Sequence, residues 1–129
     1  MNKIKGANAE RELLHMLWSN GFACIRVAGS GCIPEPSCDL LAGNGILKTA
    51  IECKTSKENK KYFEKKQINN LKKFAENFGL QPLIAIKFNR KGWWFISPDK
   101  LEDTGKGFAI SLEQIKERGC SFERLIAEH

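Results

Sequence analysis

Histidine is scarce in this chain: His15 and His129 are the only two among 129 residues. That shortage leaves no material for a multi-histidine metal site and little for a Ser-His-Asp triad. No apolar run approaches the roughly 18–20 residues of a membrane span, so no membrane partner is expected. The opening stretch "MNKIKGANAERELL" has no apolar core followed by a small-residue cleavage site, so no signal peptide is read. Five cysteines, at 24, 32, 38, 53 and 120, include none of the close Cys pairs that zinc modules use. Cys24 and Cys53 fall in strand-like runs, where a free thiol acts as a small hydrophobe. Reduced thiols in a cytoplasmic protein follow from this usage. "GSGC" after the first strand lacks the third glycine and the helix of a dinucleotide loop, and no GKS or GKT occurs. Repeats, low-complexity tracts and linkers are missing too, which points to one domain over 1–129.

Charge, by contrast, is plentiful and uneven. Lys and Arg number 21 against 15 Asp and Glu, for a net +6 and a pI near 9.1. Residues 54–66, "KTSKENKKYFEKK", hold six lysines against two acids. A lysine run is commonly a solvated loop. The aromatic pair Tyr62–Phe63 within it and the high pI support a second reading, a phosphate-contacting patch.

Hydrophobic periodicity predicts a helix over 8–20, ended by Gly21, with Leu13, Leu14 and Leu17 as its apolar stripe. Glu10 precedes those leucines by three, four and seven positions, so its carboxylate is expected on the core side. Strands are expected at 22–29, 38–43, 46–54, 82–88 and 93–97, and a second helix at 65–78 closed by Gly79. Prolines at 34 and 36 exclude regular structure between the first two strands. Asn44-Gly45 marks a hairpin. Ser111 with Gln114 fits a capping box, with Ile110 and Ile115 as its hydrophobic staple, so a last short helix starts there. The resulting order, α, β, β, β, α, β, β, α, describes a mixed α/β sheet flanked by helices.

One stretch resists a purely structural explanation. In "AIECK" (50–54), Ile51 and Cys53 share one face of a strand, while Glu52 and Lys54 share the other. A two-residue Asn44-Gly45 turn sets Asp39 diagonal to Glu52, and a four-residue loop at 44–47 sets it directly opposite. Either register leaves Asp39, Glu52 and Lys54 on one face, with Glu10 as the natural third acid. An isolated E-x-K on a strand is ordinarily a solvated ion pair. Carboxylates that converge without an arginine repel one another, and a hard divalent cation relieves the repulsion. Oxygen-only ligation suits Mg2+ or Mn2+ rather than Zn2+. Such an ion activates water and neutralises charge building on a phosphate, with Lys54 placed to assist. Paired acids could also serve a glycosidase, but that chemistry leaves the lysines and Lys54 without a task.

"KGANAERELLHMLWSNGFACIRVAGSG", "CDLLAGNG", "AIECK" and "AIKFNRKGWWFISP" resemble the archaeal Holliday-junction resolvases, a branch of the PD-(D/E)XK nuclease superfamily with a restriction-endonuclease-like fold. The resemblance covers roughly 5–104; residues 105–129 add little to it and form a C-terminal extension of open role. It implies a homodimeric, Mg2+-dependent endonuclease for four-way DNA junctions, acting in an archaeal cell in association with the nucleoid, with Mn2+ as a substitute. It further implies Glu10, Asp39 and Glu52 as acidic metal-site residues, Lys54 as the catalytic lysine and Ser30 as an active-site serine. Arg11, Arg26 and Lys87 match basic positions for activity or DNA contact, and Lys5, Lys57, Lys60 and Lys61 are further DNA-binding candidates. Phe74 and Phe78 match helix phenylalanines of dimer or junction contacts; from their spacing alone, core or subunit interface is the favoured reading over base stacking. The superfamily's proline before the metal-binding Asp is here Cys38, with Pro36 two places earlier. Proline ligates nothing, so only the entry into the strand is affected.

Two rivals remain. One is a related nuclease that acts on other DNA substrates. The other is a non-catalytic junction-binding module, which has no use for acids that face phosphates.

Overall fold

In the computed structural model, residues 3–28 and 32–129 are described, the Lys3 side chain excepted. In chain order they form α1 (Lys3–Trp18), β1 (Ala23–Arg26), β2 (Leu40–Gly43), β3 (Lys48–Ser56), β4 (Lys60–Glu64), α2 (Lys65–Phe78), β5 (Gln81–Phe88) and β6 (Gly92–Ile96). A 3-10 turn at Pro98–Lys100 leads to β7 (Glu102–Asp103), β8 (Gly107–Ser111), α3 (Leu112–Arg118), β9 (Cys120–Ser121) and α4 (Phe122–Glu128).

Six strands build the main sheet in the order β1-β2-β3-β5-β6-β9, and β4-β8-β7 form a second sheet. Only β3 and β5 run parallel; the other recorded pairs are antiparallel. This is the expected mixed sheet between helices. Burial on both faces explains why β5, QPLIAIKF, reads as a nearly continuous apolar run, whereas β3 breaks that pattern at Glu52 and Lys54. On one face, Ile51, Cys53, Ala85 and Phe95 pack with Ala9, Leu13 and Leu17 of α1 and with Phe122 and Leu125 of α4. On the other, Ala50, Ile84, Ile86 and Ile96 pack with Ile68, Leu71 and Ala75 of α2 and Ile115 of α3. By alternation, Glu52 and Lys54 belong to the α2 face.

Sequence signals and structure agree where the chemistry is short-range. Gly79 ends α2 at φ 87°, its N–H donating to Ala75 and Glu76 carbonyls. Ser111 and Gln114 form the capping box of α3, and Ile110 and Ile115 are both fully buried. The hairpin takes its four-residue form, with Gly43 opposite Lys48 and Leu40 opposite Ile51. Asn44 Oδ1 accepts the Ile46 and Leu47 N–H groups at 2.9 and 2.7 Å, and Gly45 sits at φ 91°.

Several boundaries differ. α1 begins at Lys3 rather than 8, because its exposed first turn carries no apolar periodicity to announce it. Its buried stripe is Ala9, Leu13 and Leu17, with Leu14 only half-buried, so Glu10 lies on the flank and not on the core-facing line. β1 stops at Arg26, and β2 starts at Leu40 after a bend at Asp39. The largest correction concerns 54–66. β3 continues to Ser56, and β4 inserts buried Phe63 between exposed Tyr62 and Glu64, so the solvated-loop reading fails. β4 pairs with β8, nearly fifty residues on, a pairing no local pattern reveals. β7, β8, β9 and α4 likewise carry no local sequence signal, since they are short and defined by their partners. Residues 105–129 contribute strands to both sheets. Gly119 makes one such junction possible: a Cβ there would run into the Phe95 carbonyl.

Candidate active site

Asp39 is fixed from three directions. Its backbone N–H donates to Ile51 O at 3.0 Å, and its carbonyl accepts from Val27 N at 2.9 Å. Its side-chain Oδ2 accepts the Cys53 N–H at 2.8 Å. The carboxylate is therefore held against β3 beside Glu52. Glu52 and Lys54 lie on the α2 side of that strand, with Lys54 Nζ 3.5 Å from Glu52 Oε2. Gln67, one position before buried Ile68 on α2, reaches the same atom and donates from Nε2 at 3.0 Å.

α1 brings its acids to the opposite face. Glu10 Oε1 receives Arg26 Nε at 2.7 Å. Glu12 accepts Lys87 Nζ on Oε2 and the Trp93 indole N–H on Oε1, both at 2.8 Å. Glu10 and Glu52 thus approach from different sides of β3, with Asp39 between them. Among the described residues, no group of three His, Cys, Asp or Glu side chains is arranged to hold a metal ion.

The electrostatics follow from this crowding. Burial first, and then Asp39, push Glu52 up to about 7, against the opposing pull of Lys54 and the Gln67 hydrogen bond. Burial also raises Asp39, countered by the Cys53 N–H; Glu10 raises it further, while Lys54 and Arg26 lower it. Deep burial, reinforced by Asp39, Glu10 and Glu52, pushes the Cys53 thiol well up, so all three acids lie near this one residue. Around Lys54 the field turns positive. Burial and then Lys54 itself lower Lys61 on β4. A concavity of about 520 Å³ there is lined by Lys54, Lys61, Tyr62, Glu64, Lys66, Gln67 and Asn70.

Residues 1–129 match the family described as "Archaeal holliday junction resolvase (hjc)". The chain belongs to that family. It is 46% identical over 108 residues to the crossover junction endodeoxyribonuclease Hjc of Archaeoglobus fulgidus, covering 84% of this chain and 79% of the relative. Against the enzyme of that name from Methanocaldococcus jannaschii it is 42% identical over 122 residues, 95% of this chain and 86% of the relative. The solved structure of Archaeoglobus fulgidus Hjc, a Holliday junction resolvase from a hyperthermophile, superposes with a TM-score of 0.87 at 39% identity, over 94% of this chain and 99% of the other.

In this resolvase-family chain the donor set fits a hard divalent cation. Asp39 and Glu52 offer carboxylate oxygens whose mutual repulsion a cation would relieve. The neighbouring thiols are poor competitors. Burial and nearby acids hold Cys38 up to about 12 and Cys53 well above its ordinary value, so both stay protonated. Cys38, in place of a proline, donates from Sγ to Leu40 O at 3.3 Å and so fixes the strand entry itself.

Of the other site candidates, Ser30 lies outside the described residues. Arg11 and Lys57 are exposed, and Lys60 Nζ stands 5.2 Å from the Tyr62 ring centroid. Lys5 and Lys87 line a groove of about 680 Å³ between α1 and the ends of β3 and β5, and Lys5, Lys57, Lys60 and Lys61 line a second of about 490 Å³ that shares Thr55 and Ser56. Phe74 is half-buried and Phe78 is 60% exposed, their rings 5.5 Å apart. Gln67 and Glu12 are site residues that the sequence does not single out. A single amide on a helix flank carries no signal, and neither does one exposed acid among several on a helix.

Proposed function

We propose that this chain is a structure-selective crossover junction endodeoxyribonuclease, hydrolysing phosphodiesters at four-way DNA junctions with a divalent cation, Mg2+ or Mn2+. The observation that carries the reading is the Asp39–Glu52–Lys54 constellation on one side of β3, within a chain of the resolvase family. When bound, the cation supplies a more acidic water and offsets charge on the phosphate. Asp39 and Glu52 bind it, and the Asp39 carboxylate is pre-oriented by the Cys53 N–H. Lys54, 3.5 Å from Glu52, provides a positive charge for the phosphate oxygens. Glu10 completes the acidic set electrostatically, and Ser30 is assigned to the scissile phosphate by resemblance alone.

The two adjoining lysine-lined grooves support a phosphate track that leads toward the concavity at Lys54, with Lys5, Lys57, Lys60, Lys61 and Lys87 as contacts and Arg11 and Arg26 flanking it. Recognition through phosphate spacing makes binding fall steeply with salt. A homodimer fits the task, because two symmetric cuts call for two sites at fixed spacing. Exposed Phe78, beside exposed Ile25 in an apolar hollow that also includes Leu80, supports a contact there. The whole of 1–129 acts as one nuclease domain, cytoplasmic and nucleoid-associated. Among the described residues, no helix is long and apolar enough to cross a membrane.

A labelled synthetic four-way junction, incubated beside a linear duplex of matching sequence in Mg2+ and in EDTA, tests this. Paired symmetric nicks in the junction alone, abolished by EDTA, are expected. Equal cleavage of the duplex would transfer the chain to a nuclease of other substrates. A bound but uncut junction in Mg2+ would leave a binding module only.

A further inference from the structure

We propose that Gln67 is a positioning residue for the cation site, its side-chain amide fixing one oxygen of Glu52 so that the other is presented to the metal. This inference rests on the nuclease reading above and deepens it. The contact is specific. Gln67 Nε2 donates to Glu52 Oε2 at 3.0 Å, and Lys54 Nζ lies 3.5 Å from that same atom. Both partners converge on Oε2 and leave Oε1 for a ligand. The Glu52 side chain is only 13% exposed, so it has little water with which to compensate a lost donor.

The fold makes the amide dependable. α2 packs against β3 and β5, and Ile68, Leu71 and Ala75 seat it on the sheet. Gln67 therefore leaves the helix at a fixed height over Glu52. A glutamine suits the role better than a second lysine, because it orients a carboxylate without adding charge beside a cation. Neutral donors behind ligating carboxylates commonly control metal affinity in this way. Because Gln67 also lines the concavity that holds Lys54, the alternative of a direct DNA contact must be separated by experiment.

The test measures Mn2+ binding by calorimetry on the full chain, and the Mn2+ concentration for half-maximal junction cleavage. Q67M, similar in volume but without the donor, is expected to weaken Mn2+ binding about 10–100-fold. Its half-saturation should rise in parallel, its kcat at saturating Mn2+ should stay near wild type, and its junction affinity in EDTA should not change. N69A, an exposed amide on the same helix, controls for helix effects and should match wild type. If Q67M does not fold, Q67N, whose amide falls one methylene short, is read identically. Mn2+ affinity within twofold of wild type overturns the proposal. So does a loss of junction affinity in EDTA equal to the loss of cleavage, which would assign Gln67 to DNA. Failure of the wild-type protein to bind Mn2+ or cut would instead strike the nuclease reading itself.

Discussion

α1 and α2 flank the same strand and use their polar flanks in opposite ways. α1 projects two acids, Glu10 and Glu12, each of which takes up a base from the sheet, Arg26 and Lys87 respectively. α2 projects a neutral amide, Gln67, which takes up an acid. The α1 side thus ties bases of the sheet to its own acids, while the α2 side holds one oxygen of a buried carboxylate between a neutral amide and Lys54. The cation site proposed above draws on the second side. The difference teaches that proximity alone does not make an acid a ligand; what its neighbours have already neutralised matters as much.

That contrast breaks most sharply at the acids themselves. Glu52→Ala is expected to abolish Mn2+ binding and reduce junction cleavage by on the order of 100-fold or more. Glu10→Ala should cost cleavage yet retain measurable Mn2+ affinity, because Arg26 already engages Glu10. Calorimetry on both variants decides it: equal loss of metal affinity would make Glu10 a full ligand and erase the asymmetry.

The next effect concerns pH. Glu52 keeps its proton more tightly in the folded protein than in the unfolded chain, so the metal-free fold is favoured at low pH. Its stability should decline as pH rises from 4.5 to about 7, by up to about 3 kcal/mol. Asp39, raised as well, contributes in the same direction. Urea melts in EDTA at the two ends of that window measure the slope. Glu52→Gln should flatten it, and a slope unchanged in that variant would assign it elsewhere. Added Mg2+ should stabilise the wild type more at the upper end.

On the α1 side the effects are smaller. Glu12→Ala orphans the indole N–H of Trp93, itself only 5% exposed, for about 1–2 kcal/mol. Glu12→Gln keeps an acceptor for Trp93 and surrenders only a half-exposed ion pair with Lys87, so it should cost about 0.5 kcal/mol or less. Thermal melts that fail to separate the two variants would show that the ion pair, not the indole bond, matters there. Smallest of all is the exposed Arg124–Glu128 pair on α4. Arg124→Ala should leave stability indistinguishable from wild type in the same melts, because solvent screens the pair.

The sequence by itself determined the parts governed by neighbours. Alternation along "AIECK" put Glu52 and Lys54 on one side of β3 and Ile51 and Cys53 on the other. The Gly79 stop of α2 and the Ser111–Gln114 box of α3 were equally legible, because each arises within a turn of backbone. Asp39 could be brought to Glu52 in either hairpin register; the Asn44 side chain, bonded to two N–H groups, chose the four-residue one. Other features were settled only by tertiary structure. β4 is a strand because β8 pairs with it and Phe63 finds a core, so a lysine-rich stretch that resembles a loop becomes an ordered edge. Glu10 and Glu52 come from different sides of the sheet because α1 and α2 pack on opposite faces, and no periodicity encodes which face a helix takes. Gln67 meets Glu52 for the same reason. Side-chain period is a property of a segment, whereas the partner a side chain meets is a property of how segments pack, and the latter decided where this protein holds its charge.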